Sequence, residues 1–175
     1  MTEITRLIRF TAAGLNELVQ AKNQGLKGEI THVAAGTGRY DPTGTETALK
    51  AEKQRVAVND YEDLGSGSLR IAALFDGSLE YEVGEFGFFL STGTLLGVYS
   101  QAGVLQTYKA AKARILQRFT LNLSALPTDS VTVVVGSESL NLLMSEELAK
   151  LAAASVDNMA RHVGLLFRVM ELEGK

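Results

Sequence analysis

The chain has no cysteine and no tryptophan, only two prolines and only two histidines among 175 residues. Without cysteine there is no disulfide framework, no thiolate zinc site and no thiol nucleophile. His32 and His162 are too far apart in sequence to form a metal-ligand spacing. A basic excess is also lacking, with 17 Lys and Arg against 20 Asp and Glu. The net charge is -3, so no general positive field draws nucleic acid. No apolar run approaches the roughly 20 residues that a membrane-spanning helix needs. The start, Met1-Thr2-Glu3-Ile4-Thr5-Arg6, lacks the basic and long apolar parts of a signal peptide. These absences predict a soluble protein made in a cytoplasm.

Catalytic signatures are missing too. There is no Gly-x-Ser-x-Gly elbow, no Walker loop and no His-Glu-x-x-His. "GTGRYDPTG" (36–44) has glycines but neither the Rossmann spacing nor a following helix, and reads as an ordinary loop. His32, on an expected strand with no partner in sight, reads as a half-buried structural residue. Glu80, Glu82 and Glu85 invite comparison with the carboxylate pair of glycoside hydrolases, but solvated strand edges give the same pattern far more often. Lys109, Lys112, Arg114 and Arg118 read as a solvated strand face or a salt-bridged subunit contact. The reading is a non-enzyme with no cofactor and no metal.

What is present is pattern. The hydrophobic fraction is 46%, enough for a real core in a domain of this length. Residues 11–24 predict a helix capped by Thr11 and ended by Gly25. "GEITHVAAGTG" (28–38) predicts a strand, with Ile30, His32 and Ala34 on one face and Thr31, Val33 and Ala35 on the other. A long loop follows over 36–47, then a helical turn near 48 and a strand over 54–59. Further strands are expected over 68–75, 80–90, 95–100, within 110–123 and over 130–136, each bounded by turn residues. In "EFGFFL", Phe86 and Phe88 share one face and Phe89 the other. A strand apolar on both faces is central in a sheet or has its second face covered by a partner; core packing is the favoured reading and a subunit interface the runner-up.

After Gly136 the character changes. Ser145-Glu146-Glu147 predicts a helix start with acid in its first turn. From there Ala149, Ala152, Val156, Met159, Val163, Leu166 and Met170 step alternately by 3 and 4, an a/d heptad seam. The expected fold class is α+β: an antiparallel β-sandwich or meander core, an N-terminal helix and a long C-terminal helix. The expected division is a β-rich domain over 1–136 and a helical oligomerisation segment over 137–175. The expected subunit interface is Val156, Met159, Val163, Leu166 and Met170; the alternative is that this stripe packs in cis against the chain's own sheet.

Three stretches then occur in order: "ITHVAAGTG", the central "VGEFGFFLSTGTLLGVYS" (83–100), and "VTVVVGS" (131–137). Together they resemble the phage tail-collar fibre family, the N-terminal baseplate-attachment domain of contractile-tail bacteriophage tail fibre proteins. Gly84, Glu85, Gly87, Gly93, Thr94 and Leu95 match its hairpin motif, and the resemblance covers roughly residues 5 to 136. It implies a structural protein of the tail, located in the virion, which attaches fibres to the baseplate. It also implies a homo-oligomer, a trimer as such fibres are, whose partners are itself, a baseplate protein and a distal fibre protein, with neither nucleic acid nor membrane. The loop 36–47 and the hairpin tip 91–94 are then expected to be exposed and to face another protein. The alternatives are a fibre assembly factor absent from the finished particle and, at greater distance, a host-surface glycan hydrolase.

Overall fold

The computed structural model describes residues 8–124, 126, 129–136 and 140–174. The chain divides into two compact units, Met1–Ser137 and Glu138–Lys175. The fold is α+β, with mostly antiparallel sheets, an N-terminal helix and a long C-terminal helix.

The first unit opens with a two-residue strand β1 (Arg9–Phe10) and the helix α1 (Ala12–Asn23). Thr11 caps α1, its Oγ1 accepting the Gly14 amide at 3.0 Å. At the other end Gly25 takes φ +72°, and the amides of Gly25 and Leu26 close on the carbonyls of Lys22 and Ala21. That paired closure satisfies the last carbonyls of the helix. Gly14 is where α1 meets the sheet: a Cβ there would lie 2.6 Å from Leu96 Cα.

The larger sheet holds β1, β2 (Gly28–Gly36), β3 (Glu52–Ala57), β7 (Glu85–Leu90), β8 (Leu95–Ser100) and β11 (Val131–Val133). Its order is β1-β8-β7-β2, and the far edge of β2 is shared between β11 and β3. Among the described residues, only β11 runs parallel to its neighbour. A second sheet has the order β10-β5-β4, from β4 (Asp60–Gly65), β5 (Ser68–Phe75) and β10 (Ile115–Asn122). A small ribbon pairs β6 (Tyr81–Val83) with β9 (Thr107–Lys109).

The two sheets meet over one core. Ile30, Val33, Phe86 and Phe88 from the larger sheet join Ile71, Phe75, Phe119 and Leu121 from the smaller one. Phe119 stands edge-on to Phe86 and Phe88, with centroids 4.9 and 5.1 Å away. Such tilted ring pairs add about 0.5–1.5 kcal/mol each beyond area burial.

Several expectations are corrected. Residues 48–51 form bends, not a helical turn. The strand expected over 80–90 breaks at Gly84 into β6 and β7. A bulge between Ile30 and His32 puts Ile30 on the same core face as Val33 and Ala35, and leaves His32 exposed instead of half-buried. Strands β1, β4 and β9 were not expected. The second unit is one helix, α2 (Leu140–Glu173), which begins before Ser145.

Candidate interaction surfaces

The hairpin motif is interior. Glu85, Phe86, Phe88, Phe89 and Leu95 are all at most 2% exposed. At the tip, Gly93 takes φ +89° and its amide bonds the Leu90 carbonyl at 2.9 Å, closing a tight turn. Ser91, Thr92 and Gly93 are exposed, as expected for the tip, and Thr94 is half-buried. The tip is nevertheless anchored: the Ser91 amide donates to the Glu29 carbonyl at 2.8 Å, and Thr92 Oγ1 donates to Glu17 at 2.6 Å.

Residues 36–51 are a strap across the second face of the larger sheet, not a free loop. Its Tyr40 and Leu49 are buried in a second apolar cluster with Ala34, Phe89, Leu95 and Val98. Arg39, Asp41, Thr43, Thr45 and Thr47 face solvent. So the expected exposure of 36–47 holds for alternate residues only. Within the strap, Glu46 accepts the amides of Thr43 and Gly44 at 2.7 and 2.8 Å. Burial opposes its charge, but these bonds prevail and hold its carboxyl below the ordinary value.

Glu85 fastens the strap. Its carboxylate is fully buried, and a buried charge must be bonded on every side. It accepts the amides of Gly38 at 3.2 Å, Lys50 at 3.1 Å and Ala51 at 2.7 Å, and the Tyr40 hydroxyl at 2.9 Å. The glycines of both family-like stretches make room for this. A Cβ at Gly36 or Gly38 would stand 2.5 or 2.6 Å from Glu85 Oε1. One at Gly84 would stand 2.4 Å from the Gly38 carbonyl oxygen, and one at Gly87 would stand 2.9 Å from the Leu49 side chain. Burial, then the bond to Glu85 and its charge, raise the Tyr40 phenol far above its ordinary range. Lys50 Nζ lies 3.9 Å from the centre of the Tyr40 ring, a cation–π contact.

The other charged candidates disperse. Glu82 is exposed and pairs with Arg39, and Glu80 accepts the Tyr108 hydroxyl. Glu85 is buried with its own set of donors, so the three carboxylates have separate partners. Lys109, grouped by sequence with a solvated basic cluster, is fully buried. Its Nζ donates to the carbonyls of Gly77 and Leu79 at 2.9 and 2.8 Å, tying down the turn between β5 and β6. Lys112 and Arg118 are exposed. Among the described residues no group of three or more His, Asp or Glu is placed to hold a metal ion, and no helix is long and apolar enough to cross a membrane. A cleft of about 500 Å³ opens between β11 and the end of the β4–β5 turn, lined by Tyr61, Asp63, Leu126 and Ser130 among others.

The seam residues all lie on α2. Val156, Met159, Val163, Leu166 and Met170 are 48–67% exposed in the single chain. Leu148, Leu151, Leu165, Val169 and Leu172 widen the apolar face and are also exposed. The polar side carries Asp157 and Arg161, which pair at 2.8 Å one turn apart.

Comparison with protein-family models, with curated proteins and with solved structures finds no match to this chain.

Proposed function

We propose that the chain is a structural protein of a bacteriophage tail, or of a phage-derived contractile particle, which attaches fibres to the baseplate as a homotrimer. The observation that carries this reading is the interlock at Glu85. The resemblance rests on three separate stretches, and residues of the first two meet in space: Gly36 and Gly38 of the first against Glu85 of the second, and the Gly38 carbonyl against Gly84. They build a rigid strapped sheet, with the hairpin as scaffold. The function then lies in surfaces: the outward side of the strap, the anchored hairpin tip, and the α2 seam.

The seam supports the homo-oligomeric part, and the number three comes from the resemblance. A helix of 34 residues with a continuous apolar heptad stripe gains by packing against its own kind. Burying each large seam residue is worth about 1.5–3 kcal/mol before entropy costs. The virion location and the baseplate and fibre partners belong to the same proposal. Its test is mass spectrometry of purified tail particles. Recovery of the chain at a stoichiometry in multiples of three supports attachment. Presence in the lysate but absence from finished particles contradicts it and favours an assembly factor.

A further inference from the structure

The β10-β5-β4 sheet ends on two open edges. Among the described residues, β4 and β10 each pair with β5 alone. β4 is exposed over its whole length, including Tyr61 at 49% and Leu64 at 39%. An open edge presents unpaired N–H and C=O groups, and charge on such an edge commonly serves to repel unwanted strands. Here the signs are segregated. β4 carries Asp60, Glu62 and Asp63, of which Glu62 is paired with Arg70 of β5 at 3.0 Å, and no Lys or Arg occurs between Arg55 and Arg70. β10 and the turn before it carry Lys112, Arg114 and Arg118, and no Asp or Glu occurs between Glu85 and Asp129. One edge of the sheet is acidic and the opposite edge is basic.

This arrangement discriminates between pairings. Like charges facing across strands are destabilising and opposite charges stabilising, so β4 against β4 and β10 against β10 are both disfavoured. β4 against β10 of another copy is attractive on charge and completes both hydrogen-bond ladders. Leu116, 40% exposed on β10, adds apolar surface beside Arg118.

We infer that the acidic β4 edge of one copy pairs with the basic β10 edge of the next. The contact is heterologous, because two different surfaces meet, and such contacts either close a ring or run on as a filament. β5 is antiparallel to both strands, so β4 and β10 run in the same direction. In a closed ring of three, neighbouring copies are rotated about an axis along the strands, so the junction is parallel. This inference rests on the homotrimeric reading above and specifies where the body of the protein meets its neighbour.

The chain's lack of cysteine makes the test direct. Asp60 and Glu62 on β4 and Arg118 and Thr120 on β10 share the outer sheet face, in rows through Ala72 and Arg70. Within one chain each such row spans two strand spacings, about 9–10 Å. A disulfide needs Cα atoms within about 7 Å, so any bond formed joins two chains. The four full-length double variants that combine Asp60→Cys or Glu62→Cys with Arg118→Cys or Thr120→Cys cover the two-residue shifts of register. After mild oxidation, at least one should give covalent dimers and trimers on a non-reducing gel, ending at the trimer, while the single-cysteine variants stay monomeric. Covalent dimers from Glu62→Cys alone would mean that β4 pairs with β4. A ladder running past the trimer would replace the ring by an open chain of copies. If no double variant links while light scattering still reports a trimer, the edge pairing falls and the trimeric reading stands. A monomer by light scattering removes both.

Discussion

The carboxylate of Glu85 accepts the amide of Ala51 at 2.7 Å across thirty-four residues of sequence. With the amides of Gly38 and Lys50 and the Tyr40 hydroxyl, that bond fixes both ends of the strap to the middle of the sheet. Glu85→Ala leaves three amides and a phenol facing a void. Bonds to a buried charge are worth about 1.5–3 kcal/mol each, and they are not additive. The expected loss is about 3 kcal/mol or more, measured as a lower urea midpoint. Glu82→Ala removes an exposed pair and should cost under about 1 kcal/mol. Equal effects of the two changes would refute the latch.

Gly38→Ala tests the same contact from the other side. The three atoms nearest to its added Cβ all belong to Glu85, at 2.6, 2.8 and 3.1 Å. Alone the change should destabilise. Combined with Glu85→Ala it should cost far less than the sum, since the clashing side chain is gone. A double-mutant cycle on urea midpoints should give a coupling of about 1 kcal/mol or more. Additivity within about 0.3–0.5 kcal/mol would mean that the two positions do not touch.

Gly14→Ala sets two effects of opposite sign against each other. Helix propensity alone favours alanine by about 1 kcal/mol. The added Cβ, however, falls 2.6 Å from the backbone of Leu96, where no side-chain rotation relieves it. Overpacking of this kind costs about 1–3 kcal/mol. A fall in Tm is expected. A rise would place α1 farther from β8.

Alkaline stability follows from the phenols. Burial, then Glu85, raises Tyr40 well above its ordinary value of 10.0, and burial alone pushes Tyr81 up to about 12. Folding therefore favours the neutral phenols. Their contribution is complete below pH 10 and is lost as the pH rises from there through the folded values. Thermal melts should show Tm falling above pH 10, and Tyr40→Phe should flatten part of that fall while lowering Tm at pH 7. An unchanged alkaline profile in Tyr40→Phe would separate Tyr40 from the latch.

The strongly patterned elements were legible in the sequence. β5 and β8 carry their expected bounds, and α1 begins and ends at the cap and glycine that mark it. β4 was not legible because "DYEDLG" has no apolar alternation: the strand is exposed on both faces and owes its pairing to the β5 hairpin. The burial of Lys109 was hidden because its partners are backbone carbonyls, which leave no trace in residue type. The strap was missed, although a signal for it existed. Glu85 is the sole charge in a strand apolar on both faces, and a carboxylate so placed must find donors. Glycines at 36, 38, 84 and 87 are the space those donors and the strap require. Periodicity reports which face is buried, not what covers it.

The central claim is assembly through α2, and solution mass tests it most directly. Light scattering on the full chain should give three times the 18.8 kDa chain mass. The variant Val163→Asp with Leu166→Asp puts two carboxylates into the seam and should lower that mass or drive the protein out of solution. A full-length monomer, or a variant that keeps the trimer mass unchanged, would contradict the account.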